Sequence, residues 1–477
     1  MRICKKNLQI SFFFCNFAYG NSENNANNVN NVNYDDNDFN LYPMKKHLLL
    51  LTLASWLLVP AYAGVGKYVG GDISALPLYE AANTKYKDVS GTKIADLIPW
   101  LHQTCGWNTF RVRIFVNPKK MANDGKTADP QVCQDLAYVK KLGKRIKDEG
   151  CYFMLDFHYS DTWVDATHIQ APAAWDTCTA AQKADSVAAY TAMVLDALNA
   201  YGATPDMVQV GNEIMYGMCG IAVHPYNNTA DDWTGFTNLL KAGCNVVRQK
   251  CPNAEIILHT DRPGNISYNN FWYGRMATYG VDYDVIGLSY YPFWHGTLTT
   301  DQGTTIGKSV ANANLQEALA SLATTFPAKK VQIVESAYYF QWWPTSGINY
   351  NTQTLWACSV AGQYQFVADL IDFLADYPQV EGYNYWMPEE AGNGDSKTVI
   401  SSWISRGLWA STSGNHTINK KSSTQYAHLK MKDFLAPDTT TAVNEYIAPV
   451  RATKALVNGK MVIEKGGERY DVMGRKL

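Results

Sequence analysis

Eight short strand-like runs, each followed by a longer helical stretch, constrain this chain more than any other feature. They are GGDIS (70–74), FRVRIFV (110–116), YFMLDFH (152–158), MVQVGNE (207–213), EIILHTD (255–261), DVIGLSYYP (284–292), KVQIVESAY (330–338) and VEGYNYWMP (380–388). The runs are rich in β-branched and aromatic residues and mostly do not alternate polar with apolar, which suits parallel strands covered on both faces. The intervening segments, such as LAYVKKLGKRIKDEG (136–150) and GQYQFVADLIDFLADY (362–377), carry helical patterns. Alternating β and α units require a parallel sheet. No G-x-G-x-x-G follows the first run, so a dinucleotide-binding open sheet is disfavoured. The expected fold is α/β, a (β/α)8 TIM barrel enlarged by loop insertions within 64–437, which the 477-residue chain accommodates.

Polar or aromatic residues gather toward the C-terminal ends of these runs: Asp72, Arg111, Arg113, His158, Asn212, Glu213, Asp261, Tyr290, Glu335 and Trp386. In a barrel that end is the catalytic face. Arg111 and Arg113 share a parity and therefore one side of the second strand. If that side is the barrel interior, two buried guanidiniums need carboxylate partners. Glu213 ends the fourth strand and Glu335 the seventh, each emerging from an apolar run. Either alone could be a salt-bridge partner, but two facing carboxyls are what glycosidic bond hydrolysis requires. One protonates the leaving oxygen, and the other attacks the anomeric carbon or activates water. For a retaining enzyme, Glu213 should be protonated at rest through a nearby negative charge. Glu335 should be ionised, held by Arg111 or Arg113 and a tyrosine hydroxyl.

Composition narrows the partners. The net charge of −2 and the absence of a long Lys/Arg block argue against a nucleic-acid partner. Aromatics make up 13% of the chain, with 14 Trp and 30 Tyr, which suits a cleft that stacks flat apolar sugar faces. No Cys/His cluster has zinc spacing and no cofactor motif is present, so neither metal nor cofactor is expected.

Residues 44–63, MKKHLLLLTLASWLLVPAYA, have the basic, apolar and A-x-A parts of a secretory signal. The apolar run is too short to span a membrane. An Asn-rich stretch precedes it, so Met44 is expected to be the true start, with 1–43 a start-site extension or a disordered segment. A secreted, periplasmic or cell-surface protein follows, without a transmembrane segment and expected to be a monomer. Eight cysteines lie beyond the signal, and their pairing is not readable from the sequence. Residues 438–450 read as a linker. The tail 451–477 reads as a hairpin turning at Asn458-Gly459, with YDVMGRKL able to add a strand. It resembles the short β-rich tails of some exported bacterial proteins, which leaves sorting and merely stabilising roles both open.

Specific stretches identify a family. LDFHYSDTWVDATHIQAPAAW (155–175), VQVGNEI (208–214), DVIGLSYYPFWHG (284–296), VESAY (334–338) and YNYWMPE (383–389) resemble glycoside hydrolase family 53, the endo-β-1,4-galactanases, within the retaining clan A barrels. The resemblance runs from about Gly70 to Leu435. It implies Glu213 as acid/base, Glu335 as nucleophile, and Asn212 on the sugar 2-hydroxyl. It also implies that His158, Asp161 and Trp163 line the cleft, with Tyr290, Trp294 and Trp386 offering stacking surfaces or donors. Asp72, Arg111, Arg113 and Asp261 complete the expected substrate-binding set. The implied partner is β-1,4-galactan of pectic arabinogalactan side chains, cut internally. The sequence departs from the pattern at 339–351, YFQWWPTSGINYN, where some bacterial members carry an acidic calcium loop. Without a carboxylate here, no calcium is expected, and Trp342 and Trp343 could extend the sugar platform instead. Arg262, beside Asp261, could alter subsite contacts. A mannanase or xylanase of the same clan, or a non-catalytic glycan-binding barrel, are the competing readings.

Overall fold

In the computed structural model the eight runs become eight parallel strands closed into one barrel: β1 (Tyr68–Asp72), β2 (Thr109–Ile114), β3 (Tyr152–Phe157), β4 (Met207–Val210), β5 (Glu255–Thr260), β6 (Val285–Ser289), β7 (Lys330–Glu335) and β8 (Val380–Trp386). Closure is explicit, because β1 pairs in parallel with both β2 and β8. The described residues are 67–302, 313–341, 343, 350–390, 405–412, 415–435 and the tail strands within 453–470. The leader, the segment before it, Trp342, the expected linker and the Asn458-Gly459 turn lie outside them.

The outer ring is α1 (Leu97–Gln103), α2 (Leu136–Asp148), α3 (Ala180–Tyr201), α4 (Trp233–Lys250), α5 (Ile266–Tyr279), α6 (Leu315–Thr325) and α7 (Val360–Ala375), followed after β8 by the short α8 (Ala427–Lys430). Each of α1 to α7 opens on an Asp, Thr, Asn or Ser whose side chain accepts a backbone N–H of the first turn: Asp96, Asp135, Thr179, Asp232, Asn265, Asn314 and Ser359. These caps satisfy donors that a helix cannot satisfy internally, and they fix where each connection ends.

The barrel interior is divided along its axis. Met154, Met207, Ile257, Val285 and Val334 form a small apolar plug, all fully buried. Beneath it Lys330 binds Glu255 and, at 2.9 Å, Glu381, which closes the strand starts. Above the plug the inward residues turn polar: Asp72, Arg111, Asp156, Gln209, His259 and Ser289 are all at most 1% exposed. Burying that many polar groups is tolerable only if they bind one another, and this requirement shapes the site.

Among the described residues Cys105, Cys133, Cys151, Cys219, Cys244, Cys251 and Cys358 are free thiols. No helix among the described residues is long and apolar enough to cross a membrane. Residues 436–477 form a separate compact unit, in which Thr453–Val457, Lys460–Lys465 and Glu468–Tyr470 make a three-stranded antiparallel sheet.

Candidate active site

At the C-terminal rim the strands surround a cleft of about 620 Å³. Its centre is built on Arg111, which points inward from β2. Its guanidinium donates to Asp72 Oδ2 at 2.9 Å, Asp156 Oδ2 at 2.8 Å, Asn212 Oδ1 at 2.9 Å and Gln209 Oε1 at 3.3 Å, and it pairs with Glu335 Oε1 at 2.9 Å. Burial opposes the charge of Arg111, but Asp156, Glu335 and Asp72 more than offset it and hold its pKa above the ordinary value. Arg113 shares Asp72 at 3.2 Å, and its guanidinium lies 4.4 Å from the centre of the Trp163 ring. The two arginines thus meet the carboxylates that their parity demanded, but only Arg111 reaches Glu335.

Glu335 arrives through an irregularity. The β6–β7 register shifts between Ile333 and Glu335, and Val334, next in line, belongs to the apolar plug. A bulge of this kind re-aims one side chain without ending the strand. The second oxygen of Glu335 accepts from Tyr291 Oη at 2.9 Å. Burial raises the pKa of Glu335 to about 7, against the opposing pull of Arg111.

Glu213 is held differently. The chain leaves β4 through Gly211 at φ +92, where an added Cβ would sit 2.6 Å from Ile214 Cγ2. Glu213 itself is left-handed at φ 45, a conformation that costs a non-glycine residue about 1 kcal/mol. Its Oε1 accepts from Ser289 Oγ at 2.6 Å. Ser289 in turn faces His259 Nε2 at 2.8 Å, and the Glu213 backbone N–H donates to His259 Nδ1 at 3.3 Å. A backbone N–H can only donate, so Nδ1 accepts and the ring proton sits on Nε2, directed at Ser289. Burial, followed by the charge of Arg111, holds His259 neutral. No cation among the described residues pairs with Glu213. Burial pushes its pKa well above the carboxylate range, with the charges of Glu335 and Asp261 adding to it. The neighbouring charge expected from the sequence is present, but burial is the larger cause.

The other expected site residues divide into two groups. His158, Trp163, Asn212, Asp261, Trp294 and Trp386 line the cleft. Trp163 and Trp386 are neighbours at 6.4 Å, and Asp129 Oδ2 accepts from Trp163 Nε1 at 2.5 Å, anchoring the indole. His158 accepts from Val164 N–H through Nδ1, which turns Nε2 toward Asp156 at 3.2 Å. Three residues do not line the cleft. Asp72 is fully buried beneath the arginines, so it positions them and is out of reach of a ligand. Asp161 accepts from Ala173 N–H at 3.1 Å and organises the loop after β3. Tyr290 faces the helix layer, stacks on Phe366 and donates to Gly296 O at 2.9 Å. Ser289 points inward, so its next neighbour points out and Tyr291 points in again. The same parity applied to the sequence would have selected Tyr291. His259, Asp156 and Gln209 also belong to the site, but they lie inside strand runs and read there as core.

Known proteins match this chain in sequence and in fold. The glycosyl hydrolase family 53 model matches residues 68–428. A probable arabinogalactan endo-β-1,4-galactanase A of Neosartorya fischeri is 31% identical over 67% of this chain and 83% of its own length. The endo-β-1,4-galactanase of Bacillus subtilis is 31% identical over 67% of this chain and 69% of its own. The solved family 53 catalytic domain of Ignisphaera aggregans superposes with a TM-score of 0.63 at 26% identity, covering 80% of this chain and 98% of that one. The expected barrel and the family implied by the motifs are both found, and the chain belongs to glycosyl hydrolase family 53.

Proposed function

We propose that this cleft cuts β-1,4-galactan internally with retention of anomeric configuration, using Glu335 as nucleophile and Glu213 as acid/base. The observation that carries the assignment is the asymmetry of the two carboxyls. Glu335 is gripped by the Arg111 guanidinium and the Tyr291 hydroxyl, both of which favour a carboxylate, while Glu213 is half-buried with a serine hydroxyl and, among the described residues, no cation. Of the pair, Glu335 therefore ionises first. In the first half-reaction the Glu335 carboxylate forms an ester with the anomeric carbon as the glycosidic C–O bond breaks. Glu213 passes its proton to the leaving oxygen. Esterification removes the negative charge beside Glu213, its pKa falls, and it can take a proton from the water that hydrolyses the ester.

The substrate reading rests on the galactanase names of the relatives and on aromatic walls at Trp163, Trp294 and Trp386. Product release from β-1,4-galactan, with β-1,4-mannan and xylan alongside, tests it. Short galacto-oligosaccharides from galactan alone are expected, and activity confined to another glycan would overturn the substrate assignment. The enzyme is expected to act as a monomer, and export through the leader at 44–63 would bring it to its polymer.

The pH profile follows from the same pair. The competent form has Glu335 ionised and Glu213 protonated, so kcat/KM should rise with pH as Glu335 loses its proton and fall as Glu213 loses its own. Ser289 donates to Glu213 and so favours its ionised form. Ser289→Ala should therefore move the alkaline limb to higher pH and leave the acid limb in place. Movement of the alkaline limb to lower pH would contradict this arrangement.

A further inference from the structure

We propose that Tyr216, Tyr226 and Tyr268, with His224 and Arg262, form a sugar-binding track for the galactosyl units on the leaving side of the cleaved bond. The inference rests on the galactanase reading above. It begins from the segment after Glu213, which makes one turn (Ile214–Tyr216) and a small hairpin pairing Gly217–Met218 with Ile221–Ala222. The loop that follows is pinned rather than loose. Val223 N–H returns to Tyr216 O at 3.0 Å, and Asp231 accepts from both His224 N–H at 3.0 Å and the His224 ring at 2.6 Å.

That anchoring lines up four rings. Tyr216 meets His224 edge-on at 5.8 Å, His224 meets Tyr226 at 5.2 Å, and Tyr226 meets Tyr268 of α5 at 5.8 Å. The Arg262 guanidinium lies 5.2 Å from the centre of the Tyr216 ring, and Arg262 also lines the cleft. The row is therefore continuous with the site. Tyr226 is 44% exposed, one of four large hydrophobic residues so placed among those described. The other three, Tyr152, Met193 and Tyr201, stand at the start of β3 or on α3, away from the rim loops. Two hydrogen bonds from His224 to Asp231 hold the neighbouring Tyr226 ring in this exposed position.

Direction follows from the acid. On this reading the sugar attacked by Glu335 is placed toward Trp386 and Trp163, the neighbouring indoles that line the cleft on the β8 and β3 side. The leaving oxygen lies beside Glu213, so the next unit departs over β4 and β5, which carry Tyr216 and Arg262. Galactose presents a C–H face suited to stacking on tyrosine and hydroxyls suited to the planar donors of an arginine.

The test uses galacto-oligosaccharides labelled at the reducing end, so that each product reports which bond was cut. With the full chain, cleavage should leave two or more units on the leaving side. Tyr226→Ala combined with Tyr268→Ala should shift cleavage toward the reducing end and raise KM for the polymer about tenfold, close to the loss of one stacking contact of about 1.4 kcal/mol. The effect on kcat should be smaller, and Tyr226→Phe with Tyr268→Phe should restore the original pattern. An unchanged pattern and KM in the double alanine variant overturns the track while leaving the galactanase reading intact. A wild type inert on every galacto-oligosaccharide overturns the galactanase reading and the track with it.

Discussion

Glu335→Ala should lower turnover of galactan by at least about a thousandfold, and azide should restore bond cleavage in a form that identifies the residue. With the carboxylate gone, the face of the sugar nearest Arg111 and Tyr291 is open to a small anion. Azide attacking the anomeric carbon from that face displaces the leaving group once, with Glu213 still supplying the proton, so the product is the α-galactosyl azide. Glu213→Ala behaves differently. A nitrophenolate leaving group needs no proton, so the ester on Glu335 still forms from a nitrophenyl galactobioside. Azide then intercepts that ester without a general base, and two successive inversions give the β-azide. The anomer formed by each variant therefore reports which side chain was lost. An α-azide from Glu213→Ala and a β-azide from Glu335→Ala would reverse the roles assigned here. Either product is readily distinguished by its anomeric proton coupling.

The azide experiment is needed because the two glutamates are visible as a pair in the sequence, whereas their difference is not. Their positions at strand ends after apolar runs are local properties, and so is the alternation that implied the barrel. What separates Glu335 from Glu213 is a neighbour on another strand: Arg111 from β2 for one, Ser289 from β6 for the other. His259 shows the same limit. Within EIILHT it reads as a core residue, and only the register of β5 against β6 sets its ring beside Ser289. Asp156 is concealed in the same way, inside LDFH, until β2 and β3 place it against Arg111. Tyr290 is a different kind of error, since parity counted from Ser289 was enough to prefer Tyr291. Asp161 stands in a distinctive motif, but it lies outside the cleft lining and its Oδ2 accepts the Ala173 backbone N–H. A motif can record what shapes a loop as readily as what touches a ligand.

Arg111→Met should be the most damaging single change in the barrel, costing about 3–5 kcal/mol of stability as well as most of the activity. Arg111 is 1% exposed and binds Asp72, Asp156 and Glu335 together, while Arg113 reaches only Asp72 among them. Methionine fills much of the space but leaves Asp156 and Glu335 buried without their cation. The loss should depend on pH in a definite direction. Carboxyls stranded in this way have folded-state pKa values raised above their unfolded ones, so the unfolded chain sheds their protons first as pH rises. The deficit should therefore be small below the unfolded pKa, grow as pH rises toward the folded pKa, and level off above it. Thermal unfolding of wild type and variant at acid and mildly alkaline pH measures this, and a deficit of equal size at both would contradict it. The acid limb of residual activity should also move to higher pH, because Arg111 is the group that lowers the pKa of Glu335. Arg111→Lys separates charge from geometry. An ammonium keeps the positive charge but cannot span three carboxylates and Asn212 with one planar fork. It should recover part of the stability and little of the rate, since Glu335 would then be neutralised without being aimed.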